Sequence, residues 1–278
     1  MNKNLVFDIG TNNGDDALFY AHLGYEVIAI DADPTIIKNN TKKINDPKIQ
    51  FLNCAISYND NEILDFYIDE DDTKNSLISK NVAGNNTLKE VVKVTTRTLK
   101  SLMEERGVPY YCKIDIEGYD PVAIRSLKGI NELPPFMSAE GECKPDSEKF
   151  SEDGVLDVLE AFKEVGYKKF KLVDQTTLTV LKKDDFYIKR TQLSYHLMRK
   201  LQKMTGAYSR TYTNMQRLTK EYNYPFKFAA SGPFAEKLEG EWIRYEEAKA
   251  LYLHHRRAFF SKEVNKPFTF WVDWHVAR

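Results

Sequence analysis

The chain is poor in cysteine. Its three, Cys54, Cys112 and Cys143, are too few and too scattered for a disulfide framework or a zinc knuckle. Cys54 and Cys112 lie in apolar runs and read as buried thiols. A charge bias is also missing. The formal net charge is -1 over 278 residues, so no global field favours nucleic acid or a membrane surface. No apolar run approaches the ~20 residues needed to span a bilayer. The first strand begins almost at the N-terminus, which leaves no room for a signal peptide. There is no internal repeat and no low-complexity tract. A reducing, cytoplasmic setting is the expectation.

The dinucleotide fingerprint G-x-G-x-x-G is absent as well. In its place stands Asp8-Ile9-Gly10-Thr11-Asn12-Asn13-Gly14, after an apolar run and before a helical segment at 17–23. Strand, glycine turn and helix present backbone to a nucleotide. Gly10 suits a tight turn, and Gly14 suits close approach of the helix start to a ligand. A second apolar run ends at Asp31, about 20 positions after the first turn, where a carboxylate can take both ribose hydroxyls. Asp15 and Asp16 complement the dipole of the helix but repel a pyrophosphate. A ligand with a ribose and no phosphate fits best, and S-adenosylmethionine (AdoMet) is one. The competing readings are a bare scaffold turn and a dinucleotide dehydrogenase.

Hydrophobic content of 42% is ample for a core. Pro34 opens a helix to residue 44. Residues 49–56 read as a third strand and its exit, with Asn53 serving either adenine or a turn. Strands follow at 63–68 and 91–96, with a solvated loop at 69–72 and a turn at 84–86. Thr98 caps a helix over 99–106. In residues 110–118 period two puts Lys113, Asp115 and Glu117 on one face. Pro121 opens a helix to Leu127. Residues 136–142 repeat the pattern of apolar entry and acidic exit. A helix over 151–165 ends at Gly166, and 167–173 is the next strand. Alternation of strands and helices gives an α/β sheet, mostly parallel, with helices on both faces.

The tail is rich in Lys, Arg and Tyr. The expectation is one domain over 1–278, with 184–267 a mostly helical insertion or lid and 268–276 a strand returning to the sheet. The longer helices fall at 192–204 and 242–260, with a turn at 231–234.

Four stretches resemble the FkbM family of AdoMet-dependent methyltransferases: Asp8 to Gly14; Ala29-Ile30-Asp31-Ala32-Asp33-Pro34; Asn53-Cys54-Ala55-Ile56-Ser57; and Lys113-Ile114-Asp115-Ile116-Glu117-Gly118-Tyr119-Asp120. The likeness covers roughly residues 4 to 175. Thr11, Lys100 and Asp120 depart from the family pattern. The resemblance implies a Rossmann-like class I methyltransferase acting on a hydroxyl of a saccharide or small natural product. It implies that Asp8, Gly10, Asn12, Asn13 and Gly14 hold the methionine moiety, Asp31 and Ala32 the ribose side, and Asn53, Ala55 and Ile56 the adenine pocket. Asp115 belongs to both the cofactor site and the methyl-transfer edge, where Glu117 also lies. Alternatives are N-methyl or peptide methylation, or a non-catalytic binding protein on the same fold.

An alcohol must lose a proton to a base or a metal. Asp115, Glu140 and His275, the last with Asp273 two residues before it, are the candidate bases. Asp115, Glu117, Glu140 and Glu142 offer oxygens to a divalent cation such as Mg2+, although spacing alone assigns no metal ligand. His22 and His196 read as packing, and His254-His255-Arg256-Arg257 as a solvated helix face. The aromatic residues Tyr208, Tyr212, Tyr222, Tyr224, Trp242 and Tyr245 read as core, with sugar stacking as the functional alternative. The acceptor is expected to be a small molecule or saccharide, with no nucleic-acid partner. The sequence is compatible with a homo-oligomer.

Overall fold

The computed structural model describes residues 1–71, 74–78, 87–141, 154–175, 177–183, 210–227, 230–260 and 271–278. Glu142, Cys143, His196, Tyr208, the expected turn at 84–86 and the expected helix at 192–204 lie outside these residues, as does the Tyr212 side chain.

The first third alternates as expected. β1 (Asn2–Ile9) leads through the glycine turn to α1 (Asp15–His22). Then come β2 (Glu26–Asp31), α2 (Pro34–Lys43) and β3 (Ile49–Asn53). The last five residues of β1 and of β2 are buried. Burial on both faces is why these strands read as unbroken apolar runs. Asp33 caps α2, accepting from the amides of Thr35 at 2.7 Å and Ile36 at 3.4 Å.

The alternation then breaks. Residues 49–56 divide, and β4 (Ala55–Ile56) pairs with β6 (Leu88–Arg97) instead of extending β3. β5 (Ile63–Asp69) pairs antiparallel with β6, and these three strands form their own sheet. One-sided burial explains it: Phe66, Ile68 and Val94 face inward while Ile63 and Val91 are exposed. The expected solvated loop at 69–72 begins with a buried residue. Asp69 is 2% exposed, and its carboxylate accepts from the Asp71 amide at 2.9 Å and the Thr87 hydroxyl at 2.5 Å.

α3 (Leu99–Arg106) starts at Thr98, whose hydroxyl accepts from the Ser101 amide at 3.0 Å. β7 (Pro109–Ile114), α4 (Asp120–Arg125), β8 (Phe136–Glu140), α5 (Asp157–Val165), β9 (Lys169–Asp174) and β10 (Thr179–Val180) follow. α5 begins at Asp157 rather than 151, after a turn at 154–156. Gly166 ends it at φ 117°. β7 stops at Ile114, so period two does not reach Glu117, which lies in a turn at φ 51°.

In the tail, α6 (Arg210–Tyr222) and α7 (Tyr245–Phe260) precede β11 (Val272–Ala277). β11 enters the main sheet antiparallel between β8 and β9. The order is β10-β9-β11-β8-β7-β1-β2-β3, parallel except at β11 and β10.

The sheet separates two apolar layers. On one face residues of α3, α4, α5 and α7 pack on Ile9, Ile114, Leu172 and Trp274. On the other, α1 and Phe234 cover Val6, Val27, Ala29 and Tyr111. This is the doubly wound α/β arrangement read from the sequence. Three basic residues sit otherwise than expected. His22 falls off the buried stripe of α1 and is exposed, with Nε2 2.9 Å from the Tyr222 carbonyl. His255 and Arg256 are buried, because α7 packs against β9 and α5.

Gly14 also has a different task from the one its position suggests. It is the left-handed N-cap of α1, at φ 79°, and a Cβ there would stand 2.5 Å from Ile44 Cδ1. It permits packing of the helix start on the end of α2. Gly14→Ala should cost about 1–3 kcal/mol in backbone strain and a similar amount in overpacking. Ile44→Val removes the clashing methyl and should relieve only the second part. A double-mutant cycle by urea denaturation reads the coupling; purely additive losses would contradict the packing role.

Candidate active site

The cleft lies at the carboxyl ends of β1, β2, β7 and β8, where the chain order turns outward on either side of β1. Its volume is about 670 Å³. The turn after β1 forms one wall. Gly10 has φ 77°, and a Cβ there would lie 1.7 Å from the Asp115 carbonyl oxygen. Its lack of a side chain therefore lets the exits of β1 and β7 touch.

Asp31 closes β2 against that turn. Its carboxylate accepts from the amides of Asn12 at 3.0 Å and Asp33 at 2.9 Å. Burial pushes its pKa to about 7, against the lowering effect of those two amides. Asn40 of α2 donates to the Asn12 carbonyl at 2.5 Å and fixes the turn from behind.

Beneath the turn lies Lys113, 5% exposed. Its ammonium is 3.0 Å from Asp16, 3.5 Å from Asp8 and 3.5 Å from Asp115. Burial disfavours the charged amine, but Asp16, Asp8 and Asp115 outweigh it and hold the pKa well above its ordinary value. Asp8 is held to about 6 by burial, which the Lys113 charge opposes. Asp16 reaches further, accepting from the Ser231 amide at 3.0 Å and the Ser231 hydroxyl at 2.7 Å. Lys227 pairs with Asp15 at 2.6 Å. The two acids at the start of α1 thus anchor the tail segment, beyond their effect on the helix dipole.

Of the residues expected at the site, Gly10, Asn12, Asn13, Asp31, Ala32, Ala55, Ile56, Asp115 and Glu140 line the cleft. Asp8, Gly14, Asn53 and His275 do not. Asp8 is wholly buried under the turn and accepts from the Thr11 hydroxyl at 2.7 Å. Asn53 caps the exit of β2, donating to the carbonyls of Asp31 at 2.9 Å and Ala32 at 3.0 Å. His275 is 1% exposed and sits opposite Ser138 and Lys171 inside the sheet. Burial, aided by the Lys171 charge, lowers its pKa to about 3. It remains neutral and faces no opening.

Sequence reasoning missed a second wall. Phe66, Asp71, Lys74, Asn75 and Leu77 come from the small sheet and its loop. No periodicity or motif marked them. Asn75 donates to the Asp33 carboxylate at 3.1 Å and accepts from the Asp69 amide at 2.9 Å, which ties the excursion to the β2 exit. From the tail, Ala230 and Trp271 reach the cleft. No described His, Cys, Asp or Glu residues form a group of three or more able to hold a metal ion.

A family model, the methyltransferase FkbM domain, matches residues 8–169. The chain belongs to the FkbM methyltransferase family. The match runs from the last two residues of β1 to the start of β9 and so contains the cleft, apart from its two tail residues. Among curated proteins no match is found. Similar solved structures include two of low identity. A precorrin-6y C5,15-methyltransferase from Geobacter metallireducens GS-15 is 10% identical, with 62% of this chain and 69% of that chain covered and a TM-score of 0.33. PKMT2 from Rickettsia typhi is 11% identical, with 99% of this chain and 48% of that chain covered and a TM-score of 0.35. Both likenesses are too distant to assign an acceptor or a residue role.

In this FkbM methyltransferase the acids around the cleft hold their protons unusually tightly. Burial, with Asp115 and Asp120 nearby, pushes Glu117 to about 8. Burial and Asp115 push Asp120 to about 7. Burial followed by four neighbouring acids pushes Glu140 well above the usual carboxylate range.

Two outcomes follow. Lys113→Met leaves three carboxylates around an uncharged side chain, and should cost about 3–5 kcal/mol in denaturant unfolding. A loss under about 1 kcal/mol would show that the ammonium is not their counter-charge. The second concerns pH. Asp31, Asp120 and Glu117 have raised folded values of about 7, 7 and 8, against 3.8, 3.8 and 4.5 when unfolded. The stability they confer is complete below the unfolded values and is lost as pH rises through the folded ones. His275 acts oppositely, but only below its unfolded value of 6.5. Between pH 6.5 and about 8 the stability of the ligand-free protein should fall. Thermal melts across that interval check the sign, and a rising midpoint would refute it.

Proposed function

We propose that the cleft binds AdoMet and that the protein methylates a hydroxyl of a saccharide or small natural product. The observation that carries the donor assignment is the acidic make-up of the lining. Seven carboxylates line the cleft, from Asp15, Asp16, Asp31, Asp71, Asp115, Glu117 and Glu140, with two ammonium groups. Both ammonium groups are engaged: Lys113 with three acids, and Lys74 with Asp71 at 3.0 Å. A ligand rich in phosphate finds no free cation among the described lining residues. A ligand with a sulfonium, an ammonium and one carboxylate suits the lining.

The fit residue by residue supports this reading. Asp31 retains acceptor capacity beyond its two amide bonds and takes ribose hydroxyls. The backbone of the Gly10–Asn13 turn faces the methionine end, and the apolar side chains of Ala55, Ile56 and Phe66 suit an adenine ring. AdoMet, when bound, supplies an electrophilic methyl group. The chain's own work is positioning and proton removal. Asp115, beyond the end of β7 and part-exposed in the cleft, takes the hydroxyl proton of the acceptor. His275 is too deep for that role. Ala230 and Trp271 form the acceptor wall from the tail, and the support for a hydroxyl acceptor is the family resemblance.

The test is calorimetric titration with S-adenosylhomocysteine (AdoHcy) in the presence of EDTA, with NAD as control. AdoHcy should bind and NAD should not. Asp31→Ala should weaken AdoHcy at least ~30-fold, about 2 kcal/mol, through loss of charge-assisted hydrogen bonds. Tight NAD binding, or unchanged AdoHcy affinity in the variant, would overturn the assignment.

A further inference from the structure

Glu140 and Asp273 stand directly opposite each other where β8 pairs antiparallel with β11. Such a pair projects from one face of the sheet, with Cβ atoms ~5 Å apart. Glu140 lines the cleft, and Asp273 beside it is 8% exposed. Neither carboxylate has a hydrogen-bond or ion-pair partner among the described residues. The nearby ammonium of Lys113 is already committed to Asp8, Asp16 and Asp115. Burial comes first, and neighbouring acids second, in holding both carboxyls well above their usual range.

The chemistry of the missing partner can be narrowed. An anion brings no positive charge to let the two carboxyls ionise. A divalent cation of the Mg2+ or Ca2+ type needs about six or more oxygen ligands, and no described group of three or more candidate ligands could hold a metal. A neutral hydroxyl brings one donor and no positive charge. An ammonium brings three N–H donors and a positive charge, and is satisfied by two carboxylates.

We propose that the acceptor carries a protonated amino group that docks on Glu140 and Asp273, so that amine-bearing acceptors, amino sugars among them, are preferred over neutral ones. This rests on the methyltransferase reading of the cleft and adds the charge of its substrate. The full chain, loaded with AdoHcy, is titrated with glucosamine and with glucose and N-acetylglucosamine as neutral counterparts. Glucosamine should bind at least ~10-fold more tightly than either. Asp273→Asn should remove most of that preference and leave AdoHcy affinity unchanged; should it fail to fold, Glu140→Gln is read for the amine preference alone. Equal, reversed or undetectable binding of the three sugars overturns the proposal, and so does a preference that survives both substitutions. Titration with Mg2+ alone is the remaining arm, and binding that Asp273→Asn abolishes would replace the amine with a metal. The AdoHcy isotherm is read separately. Its failure removes the donor assignment, whereas a normal isotherm without amine preference removes only the acceptor proposal.

Discussion

A buried lysine among carboxylates organises this molecule. The Lys113 ammonium has given up water, and a charge in that position is tolerated only where opposite charges and hydrogen bonds replace the solvent. The replacements come from three elements: Asp8 at the end of β1, Asp16 in the first turn of α1 and Asp115 after β7. The contact therefore sets the relative position of the two strand exits that open the cleft. Asp16 carries the restraint on to Ser231, more than 200 residues away in sequence, so the tail is held by the same network. Gly10 makes the arrangement sterically feasible, since any side chain there would meet the Asp115 backbone.

The polar groups form a row across the sheet. Strand register aligns Lys171, His275, Ser138, Lys113 and Asp8, all buried, on five adjacent strands. Aromatic residues cover this face: Tyr111 stacks on Phe234 at 4.2 Å between ring centroids, and its hydroxyl lies 2.6 Å from Ser138 Oγ. The row is shut off from solvent. Nearer the carboxyl edge Glu140 and Asp273 lack a compensating partner among the described residues. Acids held above their usual range in a cleft mark a candidate functional site.

Much of this was legible beforehand, for reasons that can be traced to particular residues. The unbroken apolar runs before Asp8 and Asp31 mark strands buried on both faces. Pro34, Thr98 and Gly166 mark helix ends, because capping is local chemistry. The small sheet was misjudged because Ala55 and Ile56 continue the apolar run of β3, and only pairing with β6 shows that the chain has left the main sheet. The sequence leaves Asn53 two roles, and its amide on the carbonyls of Asp31 and Ala32 gives it the turn. His275 looked like a catalytic imidazole because spacing from Asp273 was all that could be read. Its depth in the sheet depends on β8 and β9 closing over it.

What the sequence determined by itself was the order of strands and helices near the N-terminus, the glycine turn and the acid at residue 31. These depend on residues a few positions apart, whose periodicity and φ preferences act without the rest of the chain. What only the tertiary structure decided was which charges meet. Lys113 with Asp16, Asp16 with Ser231, and Glu140 with Asp273 are joined by strand order and register, and those follow from packing the whole core. A carboxylate's neighbours set its charge and its use, and no local pattern in the chain records them.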